Sequence, residues 1–132
     1  MARGQPVTRL HDGFVPGRHL IDAYGNGGFR FGDMSHRGSI LALPSGVHIW
    51  PVTDVAGLTV GAFDAVFAER ENIETLLIGA GTEPIFLAEP LRWAFREAKI
   101  GVDVMTTGAA ARTYNILLSE NRAVAAALIA VA

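Results

Sequence analysis

Apolar and polar positions follow two rhythms along this chain. Up to residue 52 they alternate in short runs broken by glycine and proline; beyond Asp54 they recur at helical spacing between short continuous apolar segments. Leu20-Ile21-Asp22-Ala23-Tyr24 reads as a strand, Gly25-Asn26-Gly27-Gly28 as a turn and Phe29-Arg30-Phe31 as the returning strand. Asn-Gly and Gly-Gly accept the positive φ that a tight hairpin requires. A second hairpin is predicted where Ser39 to Leu43 meets Pro44-Ser45-Gly46 and returns through Val47-His48-Ile49-Trp50-Pro51-Val52. The first 52 residues are therefore expected to be antiparallel β. Residues 1–18 mix Arg, Gly, Pro and His without period and read as an extended or mobile arm before a domain over 19–132.

The second half predicts helices between buried strands. Thr59 is a candidate N-cap for a helix to about Glu71, with Phe63, Val66 and Phe67 on one face and Asn72 at its end. Thr75-Leu76-Leu77-Ile78-Gly79 is a continuous apolar run of the kind buried on both faces. Leu87, Leu91, Ala94, Phe95 and Ala98 then mark a second helix whose true first turn is signalled by Pro90. Gly101 separates it from the strand Val102-Asp103-Val104-Met105, so the two strands and the helix between them form a βαβ crossover. A third helix begins near Thr107, presents Ala110, Thr113, Tyr114, Leu117 and Leu118, and ends near Asn121; Ala123 to Val131 closes the chain as a strand. One mixed-sheet α/β domain results.

Composition excludes more than it suggests. The 132 residues suffice for one ordinary domain, half of them are hydrophobic, and 18% are charged, which favours a packed core over disorder. A net charge of −2 gives no broad basic face for nucleic acid. The absence of cysteine removes disulfides, zinc-thiolate sites and thiol nucleophiles. The N-terminus lacks the apolar core of a secretory signal, and the longest apolar run, Ala123 to Ala132, falls short of the about 20 residues a spanning helix needs. A cytoplasmic location without a membrane span is the expectation.

The candidate chemistry gathers at one sheet edge. Gly25 to Gly28 is a hairpin turn and not a dinucleotide loop, since Arg30 stands where a third glycine belongs. Gly79-Ala80-Gly81-Thr82-Glu83-Pro84 has the strand-to-helix setting of a phosphate turn, with Asp103 24 residues after Gly79, but Pro84 replaces the third glycine and Asp103 lies inside its strand. Thr106, Thr107 and Gly108 end the neighbouring parallel strand, and Thr107 reads as the N-cap of the third helix. Arg112 and Asn115 lie within about 60° of each other on that helix at 100° per residue. Gly79, Gly81, Thr82, Thr106, Thr107, Arg112 and Asn115 thus form a candidate ligand-binding edge in which helix N–H groups and a guanidinium suit an anion or carboxylate. Against that stands an ion-paired Arg112 and an Asn115 that serves the backbone. His11, His19, His36 and His48 show no metal or triad spacing, and Ser39, Ser45 and Ser119 have no partner in sequence, so no catalytic residue, metal or cofactor is assigned. Trp50, Trp93, Arg92 and Arg96 make a candidate interaction surface, because tryptophan flanked by arginine is typical of interfaces.

Three stretches carry a family resemblance. Tyr24-Gly25-Asn26-Gly27-Gly28-Phe29, Leu76-Leu77-Ile78-Gly79-Ala80-Gly81 and Met105-Thr106-Thr107-Gly108-Ala109-Ala110-Ala111-Arg112-Thr113-Tyr114-Asn115-Ile116-Leu117 resemble the family of the mitochondrial NADH dehydrogenase (complex I) assembly factor 3 and its bacterial and archaeal single-domain relatives. The resemblance spans about residues 20 to 130. It implies a three-layer α/β fold, with a central mixed sheet and an additional antiparallel β-hairpin layer. It also implies a protein-interaction or assembly role, with membrane respiratory complex subunits or assembly factors as partners. Two departures remove polar groups from the candidate edge: Thr106 stands where the family commonly has an acid, and Gly79-Ala80-Gly81 where it has Gly-Thr-Gly. The alternative is a small-ligand-binding protein or enzyme using that edge.

Overall fold

The computed structural model describes residues 13–132. Among these residues, nine strands and three α-helices form a mixed α/β domain with two sheets. In chain order the strands are β1 (Phe14–Pro16), β2 (Ala23–Gly25), β3 (Gly28–Phe31), β4 (Met34–Arg37), β5 (Ser39–Leu43), β6 (Gly46–Trp50), β7 (Thr75–Gly79), β8 (Gly101–Met105) and β9 (Val124–Leu128). The helices are α1 (Asp64–Ala68), α2 (Glu89–Glu97) and α3 (Thr107–Ser119). The six-stranded sheet runs β1-β6-β5-β9-β7-β8, and β2-β3-β4 form a separate antiparallel sheet. In the large sheet, β7 pairs in parallel with β8 and β9, while β5 is antiparallel to β6 and β9.

Strand β9 explains the layering. It lies between β5 and β7, and all five of its residues, Val-Ala-Ala-Ala-Leu, are buried. Its alternate residues go to different cores. Val124, Ala126 and Leu128 join Ala110, Ala111 and Tyr114 of α3 and Phe29 and Phe31 of the small sheet. Ala125 and Ala127 join Phe63, Val66, Leu91 and Phe95 under α1 and α2. A strand covered on both sides reads as continuously apolar, so its lack of alternation signals the centre of a sheet. The result is three layers: α1 and α2, the large sheet, and α3 with the small sheet.

The hairpin between β2 and β3 forms as its sequence predicts, with Asn26 and Gly27 at φ +53° and +79°. The hairpin between β5 and β6 and the helix-linked parallel pair β7 and β8 also form. Other expectations change. The arm over residues 1–18 lies largely outside the described residues; within them, Phe14–Pro16 is an edge strand paired with β6. The expected strand from Leu20 shortens to Ala23–Gly25, because the N–H and C=O of Ile21 bond to the Asn115 side chain. Strand β4 carries no apolar alternation and gave no signal.

The helix expected from Thr59 to Glu71 breaks into a 3₁₀ turn (Val60–Phe63), α1 and another 3₁₀ turn (Arg70–Asn72). Thr59 does act as a cap, accepting from Ala62 N–H at 3.3 Å, but of a 3₁₀ turn. Gly61 weakens the helix, and the Trp50 indole N–H donates to the Ala62 carbonyl at 2.8 Å, a tertiary claim on a helical acceptor. Helix α2 starts at Glu89 with Pro90 in its first turn, leaving Leu87 outside it.

Candidate functional site

Register brings the proposed strand ends together. Gly79 pairs with Met105 at the ends of β7 and β8, and Ala80 N–H donates to Met105 O at 2.9 Å. The chain then crosses directly onto α3. A Cβ at Gly79 would stand 2.8 Å from Thr107 Cα, so glycine is what lets this helix start so near the strand. Thr106, and not Thr107, is the N-cap: its hydroxyl accepts from Ala109 N–H at 3.3 Å.

Thr107 instead staples three segments. Fully buried, its hydroxyl donates to Ile129 O at 2.7 Å and accepts from Gly81 N–H at 3.0 Å, while its own N–H donates to Gly81 O at 2.9 Å. These contacts occupy donors an anion would use. Of the first three N–H groups of α3, those of Thr107 and Ala109 already have partners within the protein. Gly108 lies beneath the Tyr24 ring, whose hydroxyl would meet a Cβ there. Thr82 is exposed beside Glu83, and Asp54 joins them in lining the shallow cleft at Gly81, so the local charge favours cations over anions.

Arg112 and Asn115 share a helix face, as their spacing predicts, but they face the Ile21–Tyr24 segment instead of the strand ends. Asn115 Oδ1 accepts from Ile21 N–H at 2.8 Å and its Nδ2 donates to Ile21 O at 2.8 Å. This two-point clamp replaces a strand partner. Arg112 is exposed and reaches the Tyr24 hydroxyl at 3.4 Å, a long contact. The seven edge residues therefore divide into a closed crossover of Gly79, Gly81, Thr106 and Thr107, an exposed Thr82, the backbone clamp of Asn115 and the exposed guanidinium of Arg112.

The tryptophans part company. Trp50 is only 3% exposed and packs against Phe63 at 5.4 Å between ring centroids, so it belongs to the core and not to a surface. Its alternation with Ile49 turns it inward, and its indole N–H is satisfied by Ala62. Trp93 is 54% exposed, with the Arg96 guanidinium 5.1 Å from its ring centroid. Arg92 is exposed beside it.

One polar cluster escaped the sequence. Ser45, in the turn between β5 and β6, gives its backbone N–H to Glu69 Oε1 at 2.9 Å and its hydroxyl to Glu69 Oε2 in a short hydrogen bond. His48 Nε2 lies 3.2 Å from the same hydroxyl and 4.0 Å from Glu69 Oε2. Because the hydroxyl proton goes to the carboxylate, Nε2 must be the donor to Ser45 Oγ. The imidazole cannot then serve as the base for that hydroxyl, which distinguishes the cluster from a nucleophilic triad. Burial lowers the His48 pKa from its ordinary 6.5, with Glu69 opposing. Ser45 and His48 are three residues apart, but Glu69 arrives from the end of α1, which sequence spacing does not reveal.

His36 and Tyr114 are shifted by burial as well. His36 is lowered, with its Nε2 buried and unpartnered. The Tyr114 phenol, deep under the sheet, is pushed up, against the pull of the Arg18 guanidinium. Among the described residues, no group of three or more His, Asp or Glu is placed to hold a metal ion. None of their helices is long and apolar enough to cross a membrane.

Stapled strand ends, a two-sided central strand and a small antiparallel sheet packed beside α3 define a three-layer mixed α/β domain with a closed crossover edge. The chain belongs to the family described as "Protein of unknown function (DUF498/DUF598)", whose model matches residues 21–129. It is 34% identical over 112 residues to an uncharacterised protein of Rhodobacter capsulatus, covering 83% of this chain and 82% of that one. It is 31% identical over 109 residues to the human NADH dehydrogenase [ubiquinone] 1 alpha subcomplex assembly factor 3, covering 83% of this chain and 59% of the human protein. A solved structure from Bartonella henselae, described as an outer membrane protein, superposes with a TM-score of 0.86 at 54% identity, over 89% of this chain and 98% of that one. The resemblance to the assembly factor 3 family is thus borne out, and so is the three-layer fold it implied.

Proposed function

We propose that this domain works by binding a protein partner, as an assembly factor rather than an enzyme, with respiratory membrane complexes as the setting and the cytoplasm as its location. The observation that carries the reading is the 31% identity to a complex I assembly factor across 83% of the chain. The geometry agrees with it. The Gly81, Thr107 and Ala109 N–H groups, which a small anion would need, are used to close the fold, and the Ser45, His48 and Glu69 protons run in the wrong direction for nucleophilic catalysis.

The test is genetic and biochemical. In cells of the source organism lacking this chain, native gels should show less fully assembled NADH dehydrogenase, restored by the wild-type protein. Unchanged assembly would refute the respiratory setting. Thermal stabilisation of the purified domain by a nucleotide, phosphate or carboxylate, lost on Arg112→Ala, would favour the ligand-binding edge instead.

A further inference from the structure

The open side of the crossover carries a large apolar surface that the described residues leave uncovered. Strand β8 is the outermost strand of the six-stranded sheet and pairs only with β7 among the described residues. Gly101 N–H donates to Glu74 O, and Met105 O accepts from Ala80 N–H, both at 2.9 Å. By alternation, the backbone groups of the odd-numbered residues face β7, and the N–H and C=O of Val102 and Val104 point outward from the sheet. The side chains of the same two valines lie on the α2 side, partly buried against the core.

Between that edge and α2 runs an open groove of about 720 Å³. Phe95, Ile100, Val102 and Val104 line it, and Phe86 stands beside it 96% exposed, a large apolar ring that none of the described residues covers. The groove also takes in Arg92, Arg96 and Lys99, three of the eleven Lys and Arg residues of the chain. Among the described residues its one acidic lining residue is Asp103, whose side chain alternates to the other face of the sheet from the valines. The Trp93 ring holds the Arg96 guanidinium at this rim.

We propose that the groove and the free edge of β8 form a docking site for an extended, acidic and apolar segment of a partner protein, which adds as a further strand beside β8. This rests on the protein-interaction reading above and says where and how the partner binds. Outward N–H and C=O groups ask for a strand, and the α2-side face of that strand needs hydrophobic side chains for the apolar floor together with carboxylates for the Arg92, Arg96 and Lys99 rim. A second copy fits poorly. Antiparallel pairing of two β8 edges would set two copies of α2 side by side on one face of the joined sheet, arginine against arginine.

Fluorescein-labelled peptides of about eight residues, the length of a strand, test this directly. A peptide with Val and Glu in turn on one strand face and Thr on the other (Val-Thr-Glu-Thr repeated) should bind the purified domain saturably by anisotropy, and its counterpart with Lys for Glu at least about tenfold more weakly. N-methylating alternate amides of the acidic peptide should abolish binding, and Val102 and Val104 amide exchange should slow when it binds. Phe86→Ala and Arg96→Glu, both at exposed positions, should each weaken binding about tenfold or more without lowering Tm. Equal binding of the two peptides, indifference to N-methylation, or no binding of either overturns the proposal. A dimer in sedimentation that Phe86→Ala dissociates overturns it in favour of self-association. In cells, normal NADH dehydrogenase assembly with the Phe86→Ala and Arg96→Glu double variant, in a strain that needs the chain, refutes the groove and leaves the partner reading standing. Peptide binding with no dependence of assembly on the chain does the reverse.

Discussion

Replacing Thr107 by valine removes a hydroxyl while keeping the volume and shape of the side chain. In the wild type that hydroxyl satisfies the Gly81 N–H at 3.0 Å and the Ile129 C=O at 2.7 Å, with no exposed surface of its own. Valine leaves both groups unpaired. A buried donor or acceptor without a partner costs about 1–3 kcal/mol. Ile129 is buried and pays nearly the full amount, whereas half-exposed Gly81 regains part of its bond from water. The sum is about 2–4 kcal/mol, or roughly a 6–16 °C fall in Tm for a domain of this size. Thr107→Ser keeps the hydroxyl and loses only a methyl group, so its cost should stay near about 1 kcal/mol. Thermal and urea unfolding of the three proteins, followed by circular dichroism, makes the comparison. A valine variant within about 2 °C of wild type, or a serine variant less stable than the valine one, refutes the staple and reopens the strand ends as a site.

Three further outcomes follow from the same contacts. Asn115→Leu unclamps both backbone groups of Ile21 and should cost about 2–4 kcal/mol in urea unfolding, while Asn115→Asp, which keeps the acceptor for Ile21 N–H, should cost less. Gly79→Ala drives a methyl group to within 2.8 Å of Thr107 Cα and should destabilise by about 1–3 kcal/mol, read as a lower urea midpoint at unchanged slope. His36 and His48 both have folded pKa values below their ordinary 6.5, so the unfolded chain takes up protons first as pH falls. Their contribution is complete above about pH 6.5 and is lost as pH drops toward the folded values, so Tm should decline over that interval and His48→Gln should flatten the decline. A Tm independent of pH there would contradict it.

How much of this was legible beforehand depended on how local each signal was. Asn26-Gly27, Pro90 and the apolar runs at Thr75 and Ala123 act over a few residues, and each formed the element its chemistry requires. Helix 59–71 failed because the Trp50 side chain, delivered from β6, claims the Ala62 carbonyl, a contact set by the packing of two elements and not by the periodicity of either. Trp50 looked like a surface residue for the same reason, since the pocket that receives it is built from Phe63. The 60° spacing of Arg112 and Asn115 was correct as helix geometry, yet the helix face turned toward Ile21 and Tyr24. The Ser45, His48 and Glu69 cluster draws its carboxylate from another element altogether.

The sequence alone therefore determined the class of fold, the turns, the buried central strands and the family, because periodicity and turn chemistry are read within one element. Only the tertiary structure decided which polar groups remain free. Thr107 and Asn115 are short polar side chains that suit ligand and backbone equally well, and what settles their use is where a chain segment tens of residues away delivers its N–H and C=O groups. The same placement left β8 at the edge with Phe86 and the Arg92 and Arg96 rim beside it, a surface that no stretch of the sequence could announce because its parts meet only when β7, α2 and β8 pack.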